Sequence, residues 1–200
     1  VERRRESSKM IIIYRLFTFL LLPFILLTLL YRLKINKEDR ARISERLGKT
    51  NYLRPNGPII WIHCASVGES LSTLSLVNKI VADYQNIHVL ITTGTITAAK
   101  ILSKKIPERT IHQYVPVDLT IAVRRFLKFW KPSLALWIES ELWPNLVTET
   151  QKTQAPMILL NGRVSEKSYR IWKIFPNFIR KLLSSFEICL GQSNAEEEKL

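Results

Sequence analysis

Three charged side chains follow apolar runs of the sequence. Glu69 comes shortly after the run that begins at Ile59, Glu139 directly follows residues 133–138, and Arg163 follows residues 157–160. Short apolar runs bounded by turn residues are typical of buried strands, and parallel α/β sheets bind ligands outside the carboxyl ends of their strands. A carboxylate there can take a proton from a substrate hydroxyl, and an arginine at a helix N-terminus favours an anionic ligand. The sequence therefore predicts a site where these three residues converge.

Glu69 has two interpretations, and its local sequence leaves both open. It lies in the first turn of a predicted helix, where exposed backbone N–H groups and the helix dipole stabilise a carboxylate. It is equally placed to act as a general base at the end of a strand. The small residues Ser66 and Gly68 precede it, but their spacing is not that of a phosphate-binding glycine loop.

Two further turns contain candidate ligand-binding groups. Thr93 and Gly94 belong to a hydroxyl-rich turn that opens a helix, where backbone N–H groups can bind an anion; capping by Thr95 explains the same pattern. Glu139 and Glu141 stand together at a strand end. Acidic residues are rarely buried without partners, so we expect one of them to serve the site.

The elements that must position these residues alternate regularly along the chain. We predict strands at 59–63, 87–92, 111–114, 133–138, 157–160 and 187–190, and helices at 69–82, 96–104, 119–129, 142–153 and 164–183. Strands that alternate with helices indicate an α/β fold with a doubly wound parallel sheet. The strands are nearly all apolar, as expected when helices cover both faces.

An apolar segment precedes this domain. After a polar tail (1–9), residues 10–33 contain one charge before Arg32, at Arg15, and are long enough for a membrane-anchor helix that tolerates Pro23. The alternative is an N-terminal helix packed in the domain core. The flanking basic residues weakly favour a cytoplasmic domain, and more firmly if translation starts at Met10. A basic connector (34–56) then lies at the membrane surface or forms a solvated charged face.

Composition restricts the class of partner. The net charge of +13 favours an anionic partner such as a phosphorylated substrate, an anionic membrane or a nucleic acid. No nucleic-acid-binding motif is present, so we expect no nucleic-acid partner. Cys64 and Cys189 lack metal-ligand spacing and are expected to be buried free thiols. We therefore predict neither a metal site nor a disulfide.

Five motifs in these turns resemble those of the 3-deoxy-D-manno-octulosonic acid (Kdo) transferase family. They are Trp-Ile-His-Cys-Ala-Ser-Val-Gly-Glu (61–69), Thr-Thr-Gly-Thr (92–95), Val-Pro-Val-Asp (115–118), Lys-Pro (131–132) with Trp-Ile-Glu-Ser-Glu-Leu-Trp-Pro-Asn (137–145), and Leu-Asn-Gly-Arg-Val-Ser (160–165). The resemblance extends from about Met10 to the end of the chain, and the Glu-Ser-Glu-Leu-Trp-Pro-Asn run is distinctive alone.

The resemblance implies a Rossmann-like acceptor-binding domain (57–200) of a glycosyltransferase B fold. It implies transfer of Kdo from CMP-Kdo to the lipid A precursor lipid IVA, without a separate cofactor, at the cytoplasmic face of the bacterial inner membrane. Glu69 matches the family's general base, and Glu139 matches a residue that stabilises the transition state. The residues assigned to acceptor binding are Ser66, Gly68, Thr93, Gly94, Glu141, Arg163 and Ser165.

The sequence departs from the family in two respects. Family members are about twice as long and carry a C-terminal domain that binds CMP-Kdo, so we expect a fragment, or a truncated or split gene product. Gly162 stands where the family usually has alanine, with little expected consequence. The alternative hypothesis is a non-catalytic, membrane-tethered module that binds phosphorylated lipid.

Overall fold

A computed structural model of the chain describes residues 2–139 and 141–194, without the side chains of 2–8, 167 and 171. The first residue of the predicted tail, Ser140 of the distinctive motif and residues 195–200 of the predicted domain lie outside this description. The described residues form an α/β structure around a six-stranded sheet.

All six predicted strands are present. They are β1 (Ile59–His63), β2 (His88–Thr93), β3 (Thr110–Tyr114), β4 (Leu134–Ile138), β5 (Met157–Gly162) and β6 (Ile188–Gly191). Every pairing is parallel, in the order β3-β2-β1-β4-β5-β6. The predicted doubly wound parallel sheet is therefore confirmed.

Helices precede and connect these strands, and two of the predicted helices are divided. The helices are α1 (Glu2–Leu20), α2 (Leu22–Lys34), α3 (Val67–Ser72), α4 (Leu74–Asp83), α5 (Ile96–Leu102), α6 (Thr120–Trp130), α7 (Pro144–Gln151), α8 (Glu166–Ile174) and α9 (Pro176–Leu183). The helix predicted at 164–183 breaks before Pro176, which lacks the N–H that a continuing helix needs. The helix predicted at 69–82 breaks at Thr73, whose hydroxyl donates to the Ser70 carbonyl.

Each face of the sheet carries its own apolar core. One face is rich in aromatic rings, including Trp61, Trp137 and Phe126, and is covered by α6, α7 and α9. The other face contains aliphatic side chains such as Ile62 and Val77. Because both faces are covered, the carboxyl and amino edges of the sheet remain as places for polar groups.

The apolar N-terminal segment forms two helices instead of the predicted single anchor helix. Within the described part of the chain, no helix is by itself long and apolar enough to cross a membrane. Only the pair Lys9–Leu20 and Leu22–Lys34, bent by 55°, meets that criterion when taken together. Pro23 lies in the first turn of α2, where its ring removes the backbone hydrogen bond that would continue α1.

The connector after α2 is folded onto the sheet. A 3-10 helix (Arg40–Leu47) follows an N-cap at Asp39 and ends at Gly48 with φ of 74°. Glu45 and Arg46 in this helix are buried. A fully solvated charged face does not explain that burial, and the site geometry below shows what these two side chains contact.

Candidate active site

The strand order places a crevice between β1 and β4. From β1 the chain winds outward through β2 and β3, and it then returns to the other side of β1 to start β4. The connections after β1 and β4 therefore leave the sheet in opposite directions. Ligands of doubly wound sheets bind at this switch point, outside the carboxyl ends of the strands. Glu69 follows β1 and Glu139 follows β4.

Glu69 is fixed in the turn between β1 and α3. Ser66 caps α3 by accepting a hydrogen bond from the Glu69 N–H at 3.2 Å, and Glu69 Oε2 accepts one from the Ala65 N–H at 2.6 Å. Glu69 as a whole is 7% exposed. No described group donates to Oε1, so one carboxylate oxygen is positioned by the backbone while the other can accept a ligand proton. The geometry is compatible with both interpretations of Glu69.

Glu139 continues β4 into the crevice in an unusual backbone conformation. Its φ is 59°, in the left-handed region, and its N–H donates to the Leu160 carbonyl at 3.0 Å. Such conformations are energetically costly for residues other than glycine and cluster at functional sites. Burial raises the pKa of Glu139, and the Glu69 and Glu141 carboxylates raise it further, against the opposing effect of Arg163.

The charges that shift the pKa of Glu139 also show which of the predicted site residues lie near one another. Glu69, Glu139, Glu141 and Arg163 are close enough to influence one carboxyl group, although they follow three different strands. Cys64 is buried nearby: burial chiefly raises the pKa of its thiol to about 12, and Glu69 and Glu139 add to this effect against the opposing hydrogen bond with Thr73. The predicted convergence of carboxylates and an arginine at this edge is present in the structure.

A cavity of about 470 Å³ adjoins this cluster. Its wall on one side is formed by α1 and α2, with apolar side chains such as Leu21, Phe24 and Ile25. The sheet edge supplies the opposite wall, which includes Ala65, Gly94 and Glu141 with its neighbour Trp143, among other residues. Because the Ala65 N–H donates to Glu69, the cavity reaches the turn that positions this carboxylate.

Arg46, from the connector, supports the sheet side of the cavity. Its guanidinium donates to the Gly94 carbonyl at 2.6 Å, to the Val115 carbonyl at 3.1 Å and to Glu38 at 2.9 Å. Arg32 of α2 donates to the same Glu38 carboxylate at 2.8 Å. This buried network joins the N-terminal helices to the turns after β2 and β3. Sequence reasoning missed it, because the basic connector was expected to lie at the membrane surface or to form a solvated charged face.

The other predicted acceptor-binding residues occupy varied positions. Thr93 is fully buried, and its hydroxyl pairs with His112 Nε2 at 2.9 Å, so its side chain does not face the crevice. Gly68 is exposed in the first turn of α3, and Ser66 precedes it as the cap. Ser165 caps α8 by accepting from the Ser168 N–H at 3.1 Å.

Asp118 is a further residue that sequence reasoning did not single out as functional. Its carboxylate is buried and accepts hydrogen bonds from the Tyr14 hydroxyl at 2.9 Å, the Asn145 N–H at 3.1 Å and the Leu146 N–H at 2.8 Å. It thereby caps α7 and fastens α1 beside the cavity. Its place in the motif at residues 115–118 was the available signal.

Comparison with known proteins identifies the family of this chain. Residues 41–200 match the family model of the 3-deoxy-D-manno-octulosonic-acid transferase (kdotransferase), and this region includes the crevice and its carboxylates. The chain belongs to this family.

Relatives of the chain agree with this assignment. A 3-deoxy-D-manno-octulosonic acid transferase of Rickettsia bellii is 40% identical over 187 residues, which cover 94% of this chain and 44% of that protein. The transferase of the same name from Haemophilus influenzae is 31% identical over 156 residues, covering 78% and 36%. The chain thus spans less than half the length of these relatives.

Solved structures show weaker similarity. A protein described as a UDP-N-acetylglucosamine 2-epimerase, from Listeria monocytogenes, is 12% identical with a TM-score of 0.49, over 72% of this chain and 42% of that one. A match at this level carries no information about function.

Proposed function

We propose that this chain is the acceptor-binding half of a Kdo transferase, which transfers Kdo from CMP-Kdo to lipid IVA in lipopolysaccharide biosynthesis. The observation that carries the proposal is the meeting of Glu69 and Glu139 at the switch point of the sheet, beside a cavity with one apolar wall. Membership of the kdotransferase family supports Kdo as the sugar that is transferred.

The cavity suits a lipid-linked acceptor. Its apolar wall on α1 and α2 can cover acyl chains, while its opposite wall leads to the carboxylate cluster where sugar hydroxyls would react. Burial of apolar chain surface contributes about 25 cal/mol per Å². Arg163 lies near Glu139 and is exposed, so it can attract an anionic acceptor. We also assign Gly94 and Glu141 to the acceptor site, because both line the cavity.

Glu69 is the proposed general base. In the transfer step, the acceptor hydroxyl oxygen bonds to the anomeric carbon of Kdo, the bond from that carbon to CMP breaks, and CMP leaves with the electron pair. Glu69 takes the hydroxyl proton on the oxygen that does not accept from Ala65. General-base catalysis of this kind contributes about 10²–10⁴-fold in rate.

Glu139 is proposed to stabilise the transition state. Glycosyl transfer passes through a transition state with oxocarbenium character, in which positive charge develops on the sugar ring. A carboxylate held by a constrained backbone beside the reacting carbon favours that charge without reorganising. The left-handed φ of Glu139 and its N–H bond to Leu160 supply such a constraint.

The outer face of the N-terminal helices supports membrane association, which we propose to occur at the cytoplasmic face of the inner membrane. Ile13, Phe17 and Leu20 on α1 and Leu27 on α2 are exposed. Contiguous apolar patches of this kind mark membrane or protein interaction sites. In this proposal the bent pair inserts its apolar face into the bilayer and presents the cavity to lipid. CMP-Kdo would be bound by a further domain. The longer relatives contain enough additional residues to form one.

Reconstitution of transfer tests this function. The chain in detergent is mixed with CMP-Kdo and lipid IVA, with and without the separately expressed remainder of the Rickettsia bellii relative, and Kdo-lipid is measured. We expect product only on mixing. Glu69→Gln should lower the rate by at least about 10²-fold with unchanged folding, because it removes the base.

Asp83→Asn is the matched control, since Asp83 is a carboxylate on α4 that pairs with Lys79 at the surface. It should leave the rate unchanged. Normal transfer by Glu69→Gln would remove the base assignment. Lipid IVA binding without transfer, with both parts folded and mixed, would favour the non-catalytic lipid-binding module.

A further inference from the structure

His63 lines the cavity, and one of its ring nitrogens has no hydrogen-bond partner among the described residues. It is the last residue of β1, 1% exposed, with ring centroids 5.4 Å from Trp137 and 6.2 Å from Trp61. The side chain lines the 470 Å³ cavity. Its Nε2 makes no hydrogen bond in the described part of the chain. A buried polar atom without a partner costs about 1–3 kcal/mol, so it calls for an explanation.

Hydrogen bonding fixes which nitrogen carries the proton. The Trp61 indole N–H can only donate, and it does so to the Thr92 hydroxyl oxygen at 2.9 Å. His63 Nδ1 lies 3.0 Å from the same oxygen. If Nδ1 accepts the hydroxyl proton, the indole, the hydroxyl and Nδ1 are all satisfied. If Nδ1 instead donated, the hydroxyl proton would lack any described acceptor. The neutral ring therefore carries its proton on Nε2.

Burial supports a neutral ring. It lowers the pKa of His63 to about 4, so the imidazole is uncharged at neutral pH. An uncharged N–H suits an uncharged oxygen better than a phosphate, because the guanidinium groups of Arg32 and Arg46 in the cavity lining already pair with Glu38. A carbonyl oxygen accepts without bringing a further donor that must be satisfied, whereas a hydroxyl brings one.

We propose that His63 is an acceptor-binding residue whose Nε2–H donates a hydrogen bond to the carbonyl oxygen of an acyl chain occupying the cavity. The methylene groups of the acyl chain lie along α1 and α2. Its carbonyl marks the point where the acyl chain joins the sugar, next to the turn that holds Glu69. The inference deepens the proposed function and rests on it for the identity of the acceptor. The binding geometry itself does not require transfer.

The first test needs no substitution. Long-range ¹H–¹⁵N NMR of the histidine ring in the whole chain reports which nitrogen is protonated. We expect the Nε2–H form at neutral pH and a shift of that nitrogen when N-octanoyl-D-glucosamine is added. The Nδ1–H form, or an Nε2 signal that does not respond to this probe, would overturn the proposal.

The second test compares probes and variants. N-octanoyl-D-glucosamine has an amide carbonyl at the base of its chain, whereas n-octyl glucoside has the same chain length without a carbonyl. His63→Phe keeps an aromatic ring but loses the donor, and should weaken binding of the octanoyl probe about fivefold, with less than about twofold change for octyl glucoside. His63→Gln restores an N–H donor and should recover part of the affinity.

Gln113 provides the matched control. It is fully buried, its Nε2 also lacks a described partner, and it does not line the cavity. Gln113→Met should leave the ratio of the two affinities unchanged. Equal effects of His63→Phe on both probes would mean that Nε2 serves an ordered water, and would overturn the proposal. Reconstituted transfer that fails while the carbonyl preference persists would reject the function and leave this binding role intact.

Discussion

Helices α1 and α6 are attached to the same domain by opposite kinds of contact. On α6, Val123, Phe126 and Trp130 are fully buried against the sheet, while Arg125 and Lys128 face solvent. This is the ordinary arrangement of an amphipathic helix, in which the apolar stripe faces the core.

On α1 the arrangement is inverted. Tyr14 donates to Asp118 at 2.9 Å, and Arg15 donates to Glu149 at 2.5 Å and to Thr148 at 3.2 Å. Most of the apolar side chains of α1 are exposed, Phe17 by 56%, and Ile11 is the buried exception among those described.

The difference shows that the two helices depend on different physical forces. Burial of α6 removes apolar surface from water and is non-directional. Attachment of α1 depends on a few directed hydrogen bonds and ion pairs, each of modest net value unless one partner is lost. An inverted helix suits a medium that is less polar than water on its outer side, which agrees with the proposed membrane association.

The largest loss of stability should come from a substitution in the apolar contacts of α6. Phe126→Ala on α6 removes a ring that packs at 5.0 Å from Trp61, and should lower the free energy of unfolding by about 3–5 kcal/mol. Urea denaturation followed by tryptophan fluorescence measures it. Lys128→Ala on the exposed side of the same helix should change it by less than about 0.5 kcal/mol. Similar losses for both variants would contradict the assigned packing.

A smaller but more local effect is expected at the polar attachment of α1. Asp118→Asn should cost about 2 kcal/mol, because the new amide group faces the N–H donors of Asn145 and Leu146. Hydrogen exchange should quicken first in α1 and the start of α7, while β1 stays protected. Tyr14→Phe should cost about 1 kcal/mol. Uniform loss of protection across the sheet would show that α1 is not separately attached.

The attachment through Glu149 should depend on pH. Burial raises the pKa of Glu149, but hydrogen bonds from Arg124 and Lys152 and the charge of Arg15 lower it below its ordinary value of 4.5 overall. Because the folded pKa is depressed, the contribution is fully present above about pH 5 and is lost as the pH falls through the folded pKa.

The variant Glu149→Gln isolates that contribution. It should cost about 1 kcal/mol at pH 7, since Arg124 and Lys152 are more than half exposed. The difference from the unsubstituted chain should shrink below pH 4. A difference that stays constant from pH 7 to pH 3 would exclude an ionised Glu149 as its origin.

The smallest change in stability, with a clear change in membrane binding, is expected on the outer face of α1. Phe17→Ser should shift the free energy of unfolding by less than about 0.5 kcal/mol, yet reduce partitioning onto anionic vesicles about tenfold or more. Leu76→Ser on α4 removes another exposed apolar side chain, away from the N-terminal helices. It should leave partitioning unchanged, and equal losses for both variants would contradict membrane insertion of α1.

The sequence by itself determined the parallel sheet and the location of the candidate site. Six apolar runs separated by helical periodicity predict strands buried on both faces, and each strand was found within one or two residues of its predicted bounds. The carboxyl ends of parallel strands share an edge, so the proximity of Glu69, Glu139 and Arg163 also followed from the pattern. Local periodicity carries this information because it reports which face of an element is buried.

Only the tertiary structure decided the roles of groups whose partners are distant in sequence. Arg46 appeared as one charge in a basic connector, yet it is buried because Glu38 and two carbonyl groups from separate turns satisfy its donors. Thr93 appeared accessible, but its hydroxyl is bound by His112. The bend after α1 and the His63 Nε2, which bonds to no described residue, likewise depend on what surrounds them. Hydrogen bonds join specific atoms across long stretches of chain, and residue type alone does not specify which atoms will meet.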